Sequence, residues 1–407
     1  MAGWSSLPPE VMREAVHLAV KANPESAREF ATISLFRAIG RTTWEEKTFA
    51  SLKIRSTQMQ QLRDIVTPLR QSYIRNMTFE VVLPEYDAKS LAWYKETPEE
   101  QQLNSRSFTD AILPFFDAVA SWNSSAAGKL EERRGISLRI SASCPSDKVP
   151  DRYGVLRRRY KRWDRSVLEI LQDYDRKIHL LPAISEFLCG DDFHSRKLSP
   201  RACCDIAAQM PNGHTLEWNL SDNERSDLAR RIKMRQEFAS CLQAIPDSVR
   251  HFTLYHGPRA PNTHTWDPPR LYSGDEDSHD PLSVAFRRLS RRLHTLTIDN
   301  ATISPEVFWP VSPSASLPNL DECGDFPYLE KVVVRLSEVT PSGEWFFTGH
   351  HTPAGEESGE SDDSNIYIKP DTLSWLRYKL DLSLADPYFL AAAHAAQRMP
   401  RLKEFYL

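Results

Sequence analysis

The sequence predicts the α/β class: parallel strands alternating with helices in an irregular repeat array, entered through a short helical segment. Three observations carry the prediction. A short motif, apolar-x-x-apolar-x-apolar, returns along the chain. Amphipathic runs at helical spacing lie between its copies. Only 14 Gly stand against 28 Pro in 407 residues, which disfavours nucleotide-binding folds built on Gly-rich turns and predicts many Pro-punctuated connections.

The first segment reads as helices. In "WSSLPPEVMREAVHLAV", Ser6 can cap a helix whose first turn accepts Pro8 and Pro9 and places Glu10 at the positive end of the dipole. Val11, Ala15, Leu18 and Ala19 then recur on one side. A second apolar run holds Phe30, Ile33, Leu35, Phe36 and Ile39, and "TTWEEKTFASLKI" ends in an alternating, strand-like tail.

From about residue 55 the short motif takes over. Its copies are "IRNMTF" (Ile74, Met77, Phe79), "VRHFTL" (Val249, Phe252, Leu254), "LHTLTI" (Leu293, Leu296, Ile298), "LEKVVV" (Leu329, Val332, Val334) and "LKEFYL" (Leu402, Phe405, Leu407). Weaker copies are "ISLRI" and "HTLEWNL". This is the strand signature of leucine-rich repeats, in which one buried face lines a stacked core. Between copies, "FTDAILPFFDAVASW" places Phe108, Ile112, Phe115, Phe116 and Val119 on one helical side. "RIKMRQEFASCLQAI" does the same with Met234, Phe238, Leu242 and Ile245, and "LSVAFRRLSRRL" and "DPYFLAAAHAAQRM" continue the series. Alternating strand and helix favours parallel strands with helical crossovers. The spacing is uneven, so the array is a divergent solenoid with insertions.

Two acidic stretches interrupt it, residues 272–280 and 354–364, and both read as solvated loops. Neither has the alternating oxygen ligands and turn Gly of a calcium loop. The net charge of -4 supplies no global positive field for nucleic acid. The basic run "RRRYKRWDR" reads as the solvated side of a helix whose inner stripe is Leu156, Tyr160, Trp163 and Val167. No run is long and apolar enough for a membrane span, and no signal-peptide pattern opens the chain. The six cysteines lack paired spacing and read as buried free thiols. These features predict a cytoplasmic or nuclear protein with no cofactor and no metal. No nucleophile elbow, phosphate loop, zincin helix or kinase motif is present, so no catalytic residue is assigned.

The opening stretch resembles a divergent F-box. Leu7, Pro8, Glu10, Val11, Ala15 and Leu18 match the Leu-Pro-x-Glu helix start, and Ile33 and Trp44 fall in the following helical hairpin. The remaining chain is similar to a group of fungal F-box-like proteins of uncharacterised function. The similar segments include "LEWNLSDNERSDLARRIKMRQEFASCLQAIPDSVRHFTL", "VTPSGEWFF" and "AAAHAAQRMPRLKEFYL". The resemblance implies an F-box-like segment over residues 1–54 and a repeat domain over 55–407. It implies a substrate receptor of a Skp-cullin-F-box ubiquitin ligase, with Leu7, Pro8, Val11, Leu18 and Ile33 contacting the Skp-type adaptor and the repeats holding a protein substrate. A second reading stays open, in which the N-terminal helices only cap a repeat scaffold. A third, an enzyme on the same scaffold, has no positive feature behind it.

Overall fold

The computed structural model describes residues 44–86, 96–122, 135–148, 167–171, 178–190, 196–222, 228–257, 264, 266–272, 279–310, 325–349 and 377–407. The F-box-like stretch up to residue 43, the basic run, most of the first acidic stretch and all of the second lie outside them.

The chain is α/β, and its main element is a nine-stranded sheet. Its strands are β1 (Ser51–Arg55), β2 (Asn76–Val82), β3 (Ile136–Ser143), β4 (Ile184–Cys189), β5 (Thr215–Ser221), β6 (His251–Gly257), β7 (Thr295–Ala301), β8 (Lys331–Leu336) and β9 (Glu404–Tyr406). They stand side by side in the order in which they occur in the chain. Every neighbouring pair is parallel. Parallel neighbours require a crossover, and five longer helices provide much of it. These are α1 (Pro98–Ser121), α2 (Pro200–Ala207), α3 (Leu228–Cys241), α4 (Pro281–Ser290) and α5 (Leu382–Ala396).

The Pro-rich composition finds its place at helix starts. Thr97-Pro98, Ser199-Pro200 and Asp280-Pro281 each put a capping side chain directly before a Pro in the first turn. The side chain accepts a hydrogen bond from the third helical residue, and Pro fits where no intrahelical N–H bond is needed. Thr97 and Glu100 form a reciprocal capping box. This pair explains why α1 begins ten residues before the apolar run that announces it: the first three turns are polar, and the cap starts them.

Every copy of the short motif lies in a strand of this sheet or runs into one. Two inner rows result from the register. One runs Met77, Leu138, Phe187, Leu216, Phe252, Leu296, Val332 and Phe405. The second runs Phe79, Ile140, Cys189, Trp218, Leu254, Ile298 and Val334, all buried. The helices bury their stripes against these rows. Phe108, Ile112, Phe115, Phe116 and Val119 of α1 are fully enclosed, and Phe115 stacks on Phe79 with ring centroids 4.0 Å apart. Further along, Trp218 meets Phe187, Phe238 and Phe252, and Phe286 meets Phe238 and Phe252. One continuous apolar cluster therefore extends from Phe49 to Met399.

Two differences from the sequence reading have physical causes. The strand β4, "ISEFLC", went unassigned although Ile184, Phe187 and Cys189 keep the motif; its last apolar position is a Cys, fully buried like an aliphatic residue. Asp280, the last residue of the first acidic stretch, is buried rather than solvated. It caps α4 by accepting from the Ser283 N–H and binds Arg235 with both oxygens, at 3.2 and 2.6 Å.

Candidate protein-binding face

Side chains alternate across a strand, so the residues between the buried positions share the opposite face of the sheet. Parallel sheets are ordinarily covered on both faces and read as continuous apolar runs. Here the second face is polar and reached by solvent. One row is Ser51, Asn76, Ser137, Glu186, Thr215, His251, Thr295, Lys331 and Glu404, each half-buried or exposed. The next row holds Lys53, Thr78, Arg139, Leu188, Glu217, Thr253, Thr297, Val333 and Tyr406, again half-buried or exposed. A third row includes Arg55, Ser141, Asn219, Tyr255, Asp299 and Arg335.

The charges on this face are distributed by position. At one end Lys53 and Arg55 converge on Glu80, at 3.5 and 3.3 Å, and the same carboxylate accepts from the Ser143 hydroxyl at 2.7 Å. At the other end Arg335 pairs with Asp299 at 2.9 Å, Lys331 with Glu404 at 2.5 Å and Lys403 with Glu330 at 2.7 Å. In the middle, Glu186 and Glu217 on adjacent strands form no ion pair among the described residues. Beside them the strand starts carry His214, His251 and His294. The ring of His251 lies 3.1 Å from the Thr295 hydroxyl through Nδ1, and its centroid is 6.0 Å from that of His294. Partial burial, then the proximity of His294 and His214, hold His251 below the ordinary histidine value. The face thus offers hydroxyls, imidazoles, the Glu186 and Glu217 carboxylates and the exposed rings of Tyr255 and Tyr406. That inventory suits many weak, directional contacts with a polypeptide.

Under the opposite face lies a buried polar network. Arg231 and Arg235 occupy the inner stripe of α3 beside Phe238, where Met234 is only half-buried. Arg231 grips Asp222 with two bonds, at 2.5 and 2.7 Å, and Arg235 grips Asp280. Burial alone would raise the Asp222 carboxyl, but hydrogen bonds and charge from Arg231 carry it below its ordinary value. His256, on the inner face of β6, sits among these groups with its ring 5.6 Å from Phe238. Burial, the largest influence on it, lowers its pKa to about 4.

A second network pins the ends of β2 and β3. Arg196, fully enclosed, donates to Glu96 at 2.7 Å and to Asp147 at 3.3 and 3.4 Å, while the Tyr86 hydroxyl donates to Asp147 at 2.7 Å. Burial, followed by the bond to Asp147, raises the Tyr86 phenol well above its ordinary value. Most groups of both networks pair with one another, while Glu96 Oε2, Arg235 Nη1 and His256 Nδ1 are buried without a hydrogen-bond partner among the described residues. Among the described residues, no cluster of three or more His, Cys, Asp or Glu is arranged to hold a metal ion. No described helix is long and apolar enough to cross a membrane.

The residues expected to contact an adaptor, Leu7, Pro8, Val11, Leu18 and Ile33, lie outside the described residues. Beyond them, residues 44–49 are helical, with Phe49 buried beneath the Arg70 guanidinium at 4.8 Å and Trp44 exposed. The open face was not anticipated residue by residue, although its signal was available. The x positions of the motif (Glu217, Thr253, Thr297, Val333) are the ones that face outward. No family model, curated protein or solved structure matches the chain.

Proposed function

We propose that the protein is a non-catalytic protein-interaction module, the substrate receptor of a Skp-cullin-F-box type ubiquitin ligase. Residues 1–54 would dock the Skp-type adaptor, and a leucine-rich-repeat-like solenoid would hold a protein substrate on its open face. The observation that carries this reading is the one-sidedness of the sheet. Nine parallel strands in chain order bury one face under helices and leave the other polar, in regular rows. A stacked repeat array has this arrangement, and such arrays bind partners over extended surfaces. The ligase assignment rests on the resemblance of the N-terminal stretch to an F-box.

The test is a pull-down of the tagged full-length chain with purified Skp-type adaptor. Binding is expected, with loss in the double variant Leu7→Asp, Val11→Asp, because an apolar helical face must enter the adaptor groove. Absence of binding, or its survival in the variant, refutes the docking role. The capping alternative has its own support: β1 is an end strand of the sheet, and exposed ends of repeat arrays need cover. Under that reading the double variant destabilises the chain, and the wild type does not bind the adaptor.

A further inference from the structure

Four buried thiols gather where β4 meets α2 and α3. Cys189 is the last residue of β4, Cys203 and Cys204 lie within α2, and Cys241 ends α3. Their partners differ. Cys241 Sγ donates to the Phe238 carbonyl at 3.3 Å. Cys189 and Cys203 instead touch each other, sulfur to sulfur, at 3.5 Å. That contact lies about 1.5 Å from the disulfide bonding distance. A bond between adjacent Cys203 and Cys204 would require breaking the helix that contains both.

We propose that Cys189 and Cys203 form a reversible dithiol–disulfide pair whose oxidant is a low-molecular-weight disulfide. The Lys197 ammonium lies close enough to couple electrostatically to Cys189, and it is held in place by the carbonyls of Gly190 and Asn219 and the Asn219 side chain. Cys189, at the end of β4 on that side, loses its proton and attacks first. Its sulfur bonds to one sulfur of the reagent and expels the other as a thiolate. Cys203 then loses its proton and attacks the Cys189 sulfur, expelling the second reagent thiolate. The protein gives up two protons and two electrons, and the reagent leaves as two thiols.

Both sulfurs are shielded from solvent, and burial holds the Cys203 thiol well above its ordinary value. Reaction therefore follows a local opening, and its rate levels off as reagent concentration rises. Closure would tether the carboxyl end of β4 to α2 across a separation of 14 residues.

The experiment treats the native full-length chain with dithiodipyridine, blocks remaining thiols, and maps peptides without reduction. The expected product joins Cys189 to Cys203, with no pyridyl group retained on either, and dithiothreitol restores both thiols. In Cys203→Ser, Cys189 is expected to keep the pyridyl group, because the resolving thiol is gone. The proposal is overturned if the wild-type chain retains pyridyl groups on Cys189 and Cys203. It is equally overturned if both stay unmodified until denaturant is added, or if the linkage joins Cys204 to Cys241 in their place. The wild-type map decides the matter even if the variant folds poorly.

Discussion

His256 should make this protein acid-sensitive in a way that one substitution removes. The ring occupies an inward position of β6, opposite Leu220 of β5, against Phe238 and beside Asp222, Arg235 and Arg231. Its pKa is about 4 in the folded chain against an ordinary 6.5. Below pH 6.5 the unfolded chain takes up a proton that the folded chain refuses, so stability is complete above that value and declines as pH falls towards 4. Each pH unit in that window costs roughly 1.4 kcal/mol, which amounts to about 3 kcal/mol over the window. The perturbation is His256→Leu, which continues the apolar row beside Leu220. The assay is urea unfolding at a series of pH values through the window, with the variant as reference for all other titrating groups. Wild type should lose about 3 kcal/mol more than the variant between neutral pH and pH ~4. Parallel pH profiles for the two chains would refute the assignment of the acid-sensitive proton to this ring.

Three further outcomes concern the Arg196 network and the open face. Arg196→Leu leaves the Glu96 and Asp147 carboxylates enclosed without their guanidinium, and urea unfolding should register a loss of about 3–5 kcal/mol. Glu186→Lys with Glu217→Lys should change stability by no more than about 0.5 kcal/mol each, because neither carboxylate has an ion-pair partner among the described residues. Under the proposed receptor role, the same double variant should weaken binding of a protein partner to the open face, read by equilibrium binding across a salt series.

Local sequence and tertiary structure contributed different parts of this fold. The motif and the helical stripes were readable because a strand repeats every second residue and a helix every three to four, and both must bury one side. That logic placed Phe79, Phe252 and Ile298 in strands and Phe108, Phe115 and Phe238 inside, without any knowledge of neighbours. It stumbled at β4, where Cys189 stands in for an aliphatic residue, and at the polar first turns of α1. The capping residues Thr97, Ser199 and Asp280, each followed by Pro, carry an equally local signal that the sequence reading did not use, since it placed Asp280 in a solvated loop.

Other features exist only once distant segments meet. Arg231 and Arg235 look like an exposed basic face until Asp222 and Asp280 are brought alongside to neutralise them. Cys189 and Cys203 are ordinary core thiols until β4 and α2 come together and set their sulfurs in contact. The open face depends on register: Glu186, Thr215, His251 and Thr295 come from four separate strands, and only parallel pairing in chain order lines them up. Periodicity decides which side of each element is apolar, because that depends on near neighbours in the chain. Which polar groups share a surface or a buried pocket depends on long-range pairing, and no local pattern encodes it.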